Sequence, residues 1–142
     1  MTTTLPTPET VRAAAEAGDV RTLLDLWSTL CPEECAFHTW GTISYYTLAD
    51  PEASTFEPDH PTGVSFAFLR YAVQAACLRR GWISRVDVEP LYSEAFVWDD
   101  PDDNAIGQQI VDASDALPAT HAPAVALLAA YLCGVLATRN DA

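Results

Sequence analysis

Three side chains that can ligate a metal crowd one short segment of the 142-residue chain: Cys31, Cys35 and His38. Thiolate and imidazole are the ligands zinc favours, and on a continuous helix this spacing would set all three on one face. Pro32 interrupts such a helix, and a fourth ligand from His60, His121, Cys77 or Cys133 must come from elsewhere in the fold. Buried cysteine also behaves as a small hydrophobe, so the same residues serve a core equally well. The segment supports an alternative reading as a zinc or small-molecule site, enzymatic or not, and no other cofactor is expected.

A second cluster is made of carboxylates. Asp99-Asp100-Pro101-Asp102-Asp103-Asn104 opens like a calcium loop, but Ala105 stands where an EF-hand needs glycine and Val111 where it needs the closing glutamate. A solvated acidic loop is the better reading. Nucleophile chemistry has little support, because the sequence lacks Gly-x-Ser-x-Gly, a glycine-rich phosphate loop, His-Glu-x-x-His and a dinucleotide fingerprint.

The acidic loop belongs to a larger imbalance. Twenty Asp and Glu face seven basic residues, for a formal net charge of −13. All seven cations are arginines, and none lies between Arg85 and Arg139, where Asp87, Glu89, Glu94, Asp99, Asp100, Asp102, Asp103, Asp112 and Asp115 fall. Nucleic-acid affinity rests on clustered Lys and Arg, so direct phosphate-backbone binding is disfavoured. Anionic membranes are disfavoured on the same ground. The expectation is a non-enzymatic protein-binding or regulatory module that docks a basic surface on a partner protein, in the extreme as an inhibitor or immunity-like protein. Its candidate contact residues are Asp99, Asp100, Asp102 and Asp103 with Trp98, Trp40, Tyr45 and Tyr46, since aromatic side chains with a polar handle favour interfaces.

The elements that must position these residues are legible in part. Thr7-Pro8-Glu9 reads as a helix start, and Gly18-Asp19 as a left-handed end followed by a fresh cap. The segment AAAEAGDVRTLLDLW resembles the opening helices of polyketide cyclase-like families, and it is equally similar to an ankyrin helix pair. No period of about 33 residues recurs, the polyketide cyclase-like pattern would end in strands rather than helices, and no function is carried over. Phe37 to Leu48 is rich in aromatic and β-branched residues, which favours extended structure around Gly41. Residues 50–63 hold three prolines among carboxylates and read as the longest loop.

Val64 to Arg80 predicts a helix near the centre of the core, and Ile83 to Glu89 a short edge strand; 91–98 fits a strand or a helical turn. Ile106, Ile110, Ala113 and Leu117 recur at helical spacing and predict another helix. The last segment, about Ala122 to Thr138, is apolar all round. Some 16 residues at about 1.5 Å each fall short of a bilayer core of roughly 30 Å, so a buried helix or a homodimer contact is expected rather than a membrane span.

Together these readings give one domain, 1–142, of the α+β class and predominantly helical: five to six helices around one core, with at most a small antiparallel sheet from 36–48 and 83–98, or an all-α fold as the alternative. The N-terminus shows no basic start or apolar run, so a cytoplasmic location with reduced thiols is expected.

Overall fold

A computed structural model describes residues 6–49, 54–59 and 61–140; His60 lies outside them. The elements run α1 (Pro8–Glu16), α2 (Val20–Leu30), β1 (Cys35–Trp40), β2 (Ile43–Leu48), β3 (Ser54–Phe56), α3 (Gly63–Arg79), β4 (Ile83–Val88), β5 (Tyr92–Trp98), β6 (Gly107–Asp112) and α4 (Ala122–Asn140). Two three-stranded antiparallel sheets result, ordered β1-β2-β3 and β4-β5-β6.

The expected predominantly helical fold is corrected. Among the described residues there are four helices and two complete sheets, not five to six helices with at most a small sheet, and the all-α alternative falls. The decisive segment is Gly107–Asp112, expected to be helical and found as a strand whose burial alternates: Gly107, Gln109 and Val111 point inward, Gln108, Ile110 and Asp112 outward. Its chemistry is inverted, with a glutamine facing in and an isoleucine facing out. A short run can satisfy both periods, and here the polarity pattern hid the true one. Ser54–Phe56 likewise forms a strand within the stretch read as a loop, because Phe56 is buried against Phe66 of α3, ring centroids 5.1 Å apart.

Helix α4 is the centre of the molecule. Every described residue from Ala122 to Leu136, apart from the Pro123 and Gly134 backbone positions, appears among the buried apolar side chains. It packs on β5 and β6 and also meets α1, α2 and α3. Its Ala122–Arg139 span is long and apolar enough to cross a membrane by composition alone, yet 83% of that window is buried within the fold. Gly107 explains how closely strand and helix approach: a Cβ there would lie 1.8 Å from the Ala130 carbonyl oxygen. Only the absence of a side chain permits the contact.

Helix α3, expected near the centre, is peripheral. Phe66, Leu69, Val73, Ala76 and Cys77 turn inward, while Val64, Phe68, Tyr71 and Leu78 are exposed. The N-terminal helices follow their capping residues, with Thr7 accepting from the Thr10 N–H and Asp19 from the Thr22 N–H.

Candidate functional site

The residues marked by spacing are dispersed by the fold. Cys31 is the C-cap of α2, where it accepts a 3.5 Å hydrogen bond from Arg80 Nη2. Cys35 and His38 stand three apart on β1, so strand alternation sends them to opposite faces. Cys35 is buried, whereas His38 is exposed, stacked on Tyr45 at 5.2 Å with Nε2 2.9 Å from Thr47 Oγ1. All four cysteines are unpaired and buried. Burial, with neighbouring carboxylates, pushes Cys31 up to about 11 and Cys35 to about 12; burial and Glu34 push Cys77 to about 12, and burial pushes Cys133 to about 11. Such thiols are protonated at neutral pH and poor nucleophiles. The ligand atoms that do converge belong to Cys31, Glu33 and Glu34, within 4.8 Å of one another, but Glu34 already faces a cation of the protein itself.

That cation is Arg80, and the arrangement around it is a buried polar centre that the spacing of residues did not reveal. Glu34 lies in the turn between α2 and β1, 6% exposed. Trp27 Nε1 donates to its Oε1 at 2.8 Å, and the Tyr131 hydroxyl of α4 donates to the same oxygen at 2.6 Å. Arg80 Nε donates to the Tyr131 oxygen at 2.8 Å and lies 3.8 Å from Glu34 Oε2. The guanidinium also sits over the Trp82 and Tyr131 rings, 5.1 and 5.6 Å from their centroids.

Helix α3 delivers this arginine by ending in a two-bond C-terminal turn. Gly81 adopts φ +74°, its N–H bonds to Leu78, and the Trp82 N–H reaches back to Cys77 at 2.9 Å. Burial and the Glu34 bond raise the Tyr131 hydroxyl far above its ordinary value. Every polar atom named here has a partner inside the protein, so the centre joins α2, α3 and α4 rather than offering an open reaction site. One signal for it was present in the sequence: Tyr131 is the one hydroxyl in the otherwise apolar run from Ala122 to Ala137, and a buried tyrosine hydroxyl needs a partner.

The predicted docking residues separate into two groups. Trp40 ends β1 at the hairpin of the first sheet and is 80% exposed; Tyr45 is half-buried, and Tyr46 is buried with its hydroxyl bonded to Asp25. Trp98 and the aspartates belong to the second sheet, a separate set of strands. There Asp99, Asp100, Asp102 and Asp103 occupy the exposed β5–β6 connection, ordered by the Asp102 N–H bonding Asp100 Oδ1 at 3.0 Å.

The outer face of the second sheet continues that connection. Register places Asp87, Glu94 and Ile110 in one row, Arg85, Phe96 and Gln108 in the next, then Ile83 beside Trp98, with Tyr92 beside Asp112 at the other end. Phe96 and Trp98 stack at 5.6 Å with planes 15° apart. Arg85, the one guanidinium in these rows, is spent on Asp87 at 2.8 Å and on the Phe96 ring at 5.1 Å. Gln108 donates to Glu94 at 2.8 Å. The result is a stacked pair, Phe96 and Trp98, with Tyr92 beyond Glu94 on the same strand and carboxylates around them. Sequence reasoning found Trp98 and the aspartates but missed Tyr92 and Phe96, because the strand that aligns them was itself ambiguous.

Comparison with known proteins finds no matching family model, no matching curated protein and no matching solved structure.

Proposed function

We propose that the protein is a non-enzymatic docking module of the cytoplasm that presents the outer face of its second sheet, with the Asp99–Asp103 connection, to a basic surface on another protein. One observation carries this reading: Phe96 and Trp98 stack on the outer face of β5, with Tyr92 beyond Glu94 on the same strand, and Asp87, Glu94, Asp112 and the four aspartates of the connection surround them, while Arg85 is already paired with Asp87 and Arg12 lies at the far edge beside Gln108 and Ile110. Aromatic residues supply large contact area at interfaces, and the carboxylates steer a cationic partner and select against anionic ones. In its extreme form the module occupies a partner's nucleic-acid-binding surface with carboxylates in place of phosphates.

The test is recovery of partners on the immobilised protein at low and high salt, with Trp98→Ala and the quadruple Asp99→Asn, Asp100→Asn, Asp102→Asn, Asp103→Asn variant alongside. A basic partner retained at low salt, released at high salt and lost with either variant supports the proposal. A partner held equally by all three proteins, or no salt-sensitive partner at all, overturns it.

A further inference from the structure

Arg70 is half-buried in a strongly acidic chain and yet has no partner. Arg21, Arg80 and Arg85 form ion pairs and Arg139 bonds the Leu30 carbonyl, whereas Arg70 makes no ion pair or hydrogen bond among the described residues. Arg12 is equally free, but it is exposed, where an unmatched charge costs little. A guanidinium partly withdrawn from water gains most from an anion brought to it. Helix α3 sets Arg70 beside the entry of α4: it lies one turn beyond Phe66, whose ring stacks on His121 with centroids 4.3 Å apart.

The guanidinium lines a cavity of about 450 Å³ whose other walls come from two further parts of the chain. The β4–β5 hairpin supplies Val88, Glu89 and Pro90, and the entry of α4 supplies Ala119, Thr120 and Pro123. Backbone bonds fix both walls: the Glu89 N–H donates to the Tyr92 carbonyl and the His121 N–H to the Pro118 carbonyl, each at 2.8 Å. This volume, with apolar walls and few polar groups, suits a small ligand. Charge selects its chemistry. Arg70 is the one cation lining the cavity, and the Thr120 hydroxyl, unbonded among the described residues, adds a donor. A guanidinium fork matches a carboxylate through two parallel hydrogen bonds. Glu89 shares the cavity without pairing with Arg70, so it opposes a second negative charge on the ligand.

We infer that this cavity binds a small organic monocarboxylate with an apolar body. Its carboxylate rests on Arg70 and Thr120, and its body lies between the hairpin and the α4 entry, against Val88, Pro90, Ala119 and Pro123. The site sits at the hairpin end of the second sheet, about 20 Å along β5 from the Asp99–Asp103 connection, and does not depend on the docking proposed above.

Titration of the isotope-labelled protein with phenylacetate and octanoate, followed by amide NMR, tests it, with benzyl alcohol, benzylamine and inorganic phosphate as controls. The expected result is a set of shifts centred on Arg70, Val88, Glu89 and Thr120, with a dissociation constant of about 10 µM to 1 mM for the carboxylates. Each control should bind at least about tenfold more weakly. Arg70→Met keeps the aliphatic stem, and should weaken the carboxylates at least about tenfold while far-ultraviolet circular dichroism stays unchanged. Glu89→Gln should tighten them by about twofold, because it removes the opposing charge. No shifts at these residues up to about 10 mM acid, benzylamine binding as tightly as phenylacetate, or carboxylate affinity unchanged in Arg70→Met overturns the proposal. A peptide ending in phenylalanine that binds here more tightly than either free acid overturns the small-molecule assignment in favour of a protein C-terminus.

Discussion

Glu34 and the aspartates of the β5–β6 connection are the same chemistry placed under opposite constraints. Glu34 is buried beneath Trp27, Tyr131 and Arg80, each aimed at it or at its partner. Asp99, Asp100, Asp102 and Asp103 are exposed and bond chiefly to their own turn. A buried charge must be matched inside the fold, and once matched it ties elements together; an exposed one can be left unmatched at little cost and remains available to a partner. The contrast assigns stability to the first region and leaves the second exposed, as the proposed docking requires.

The largest effect should come from breaking the buried region. Glu34→Ala strands the Trp27 N–H, the Tyr131 hydroxyl and the Arg80 charge together, and should lower the unfolding free energy in urea by about 3 kcal/mol or more. Glu34→Gln retains an acceptor for Trp27 and Tyr131 while losing the charge facing Arg80, so it should fall clearly between the alanine variant and wild type. Equal losses for the two variants would mean that packing, not the polar centre, sets the cost. Tyr131→Phe removes one hydroxyl that both donates to Glu34 and accepts from Arg80, and should cost about 1–2 kcal/mol in the same measurement.

A second effect appears in alkali. The buried thiols hold their protons to about 11 or 12, against an ordinary value of 9.0 once the chain unfolds. Above pH 9 the unfolded chain therefore binds fewer protons than the native one, and stability should fall as pH rises from 9 toward 12. Below pH 9 these groups contribute no slope. Thiol titration at pH 8 should show slow, partial reaction in the native protein and four fast groups in urea; four fast groups without denaturant would contradict the burial described here.

The two regions were unequally legible in the sequence. Charge counts located the aspartates directly, since exposed residues need no fold to bring them together. Glu34, Arg80 and Tyr131 lie far apart in the chain, and only the packing of α2, α3 and α4 makes them neighbours; the cysteine spacing beside Glu34 drew attention to the wrong atoms. The same limit shaped the fold. Thr7, Asp19 and Gly81 act locally, and the helix ends they imply are found. Gly107–Asp112 is a strand through its pairing with β5 and its close approach to Ala130 of α4, contacts that no window of its own sequence contains. Helix α3 shows a further ambiguity, because its apolar residues extend well beyond one face and the sequence cannot say which of them the fold covers.

The smallest change in stability should accompany the largest change in recognition. Replacing Asp99, Asp100, Asp102 and Asp103 with asparagine keeps the side-chain oxygen that accepts the Asp102 N–H while removing four negative charges. Exposed substitutions of this kind shift stability by within about 0.5 kcal/mol, and relief of repulsion in a chain of net charge −13 favours a small gain. Urea midpoints should therefore be unchanged or slightly raised, while the association rate with a basic partner falls and loses its steep dependence on ionic strength. A substantial loss of stability in this variant would show that the connection is matched within the fold after all, and the contrast with Glu34 would collapse.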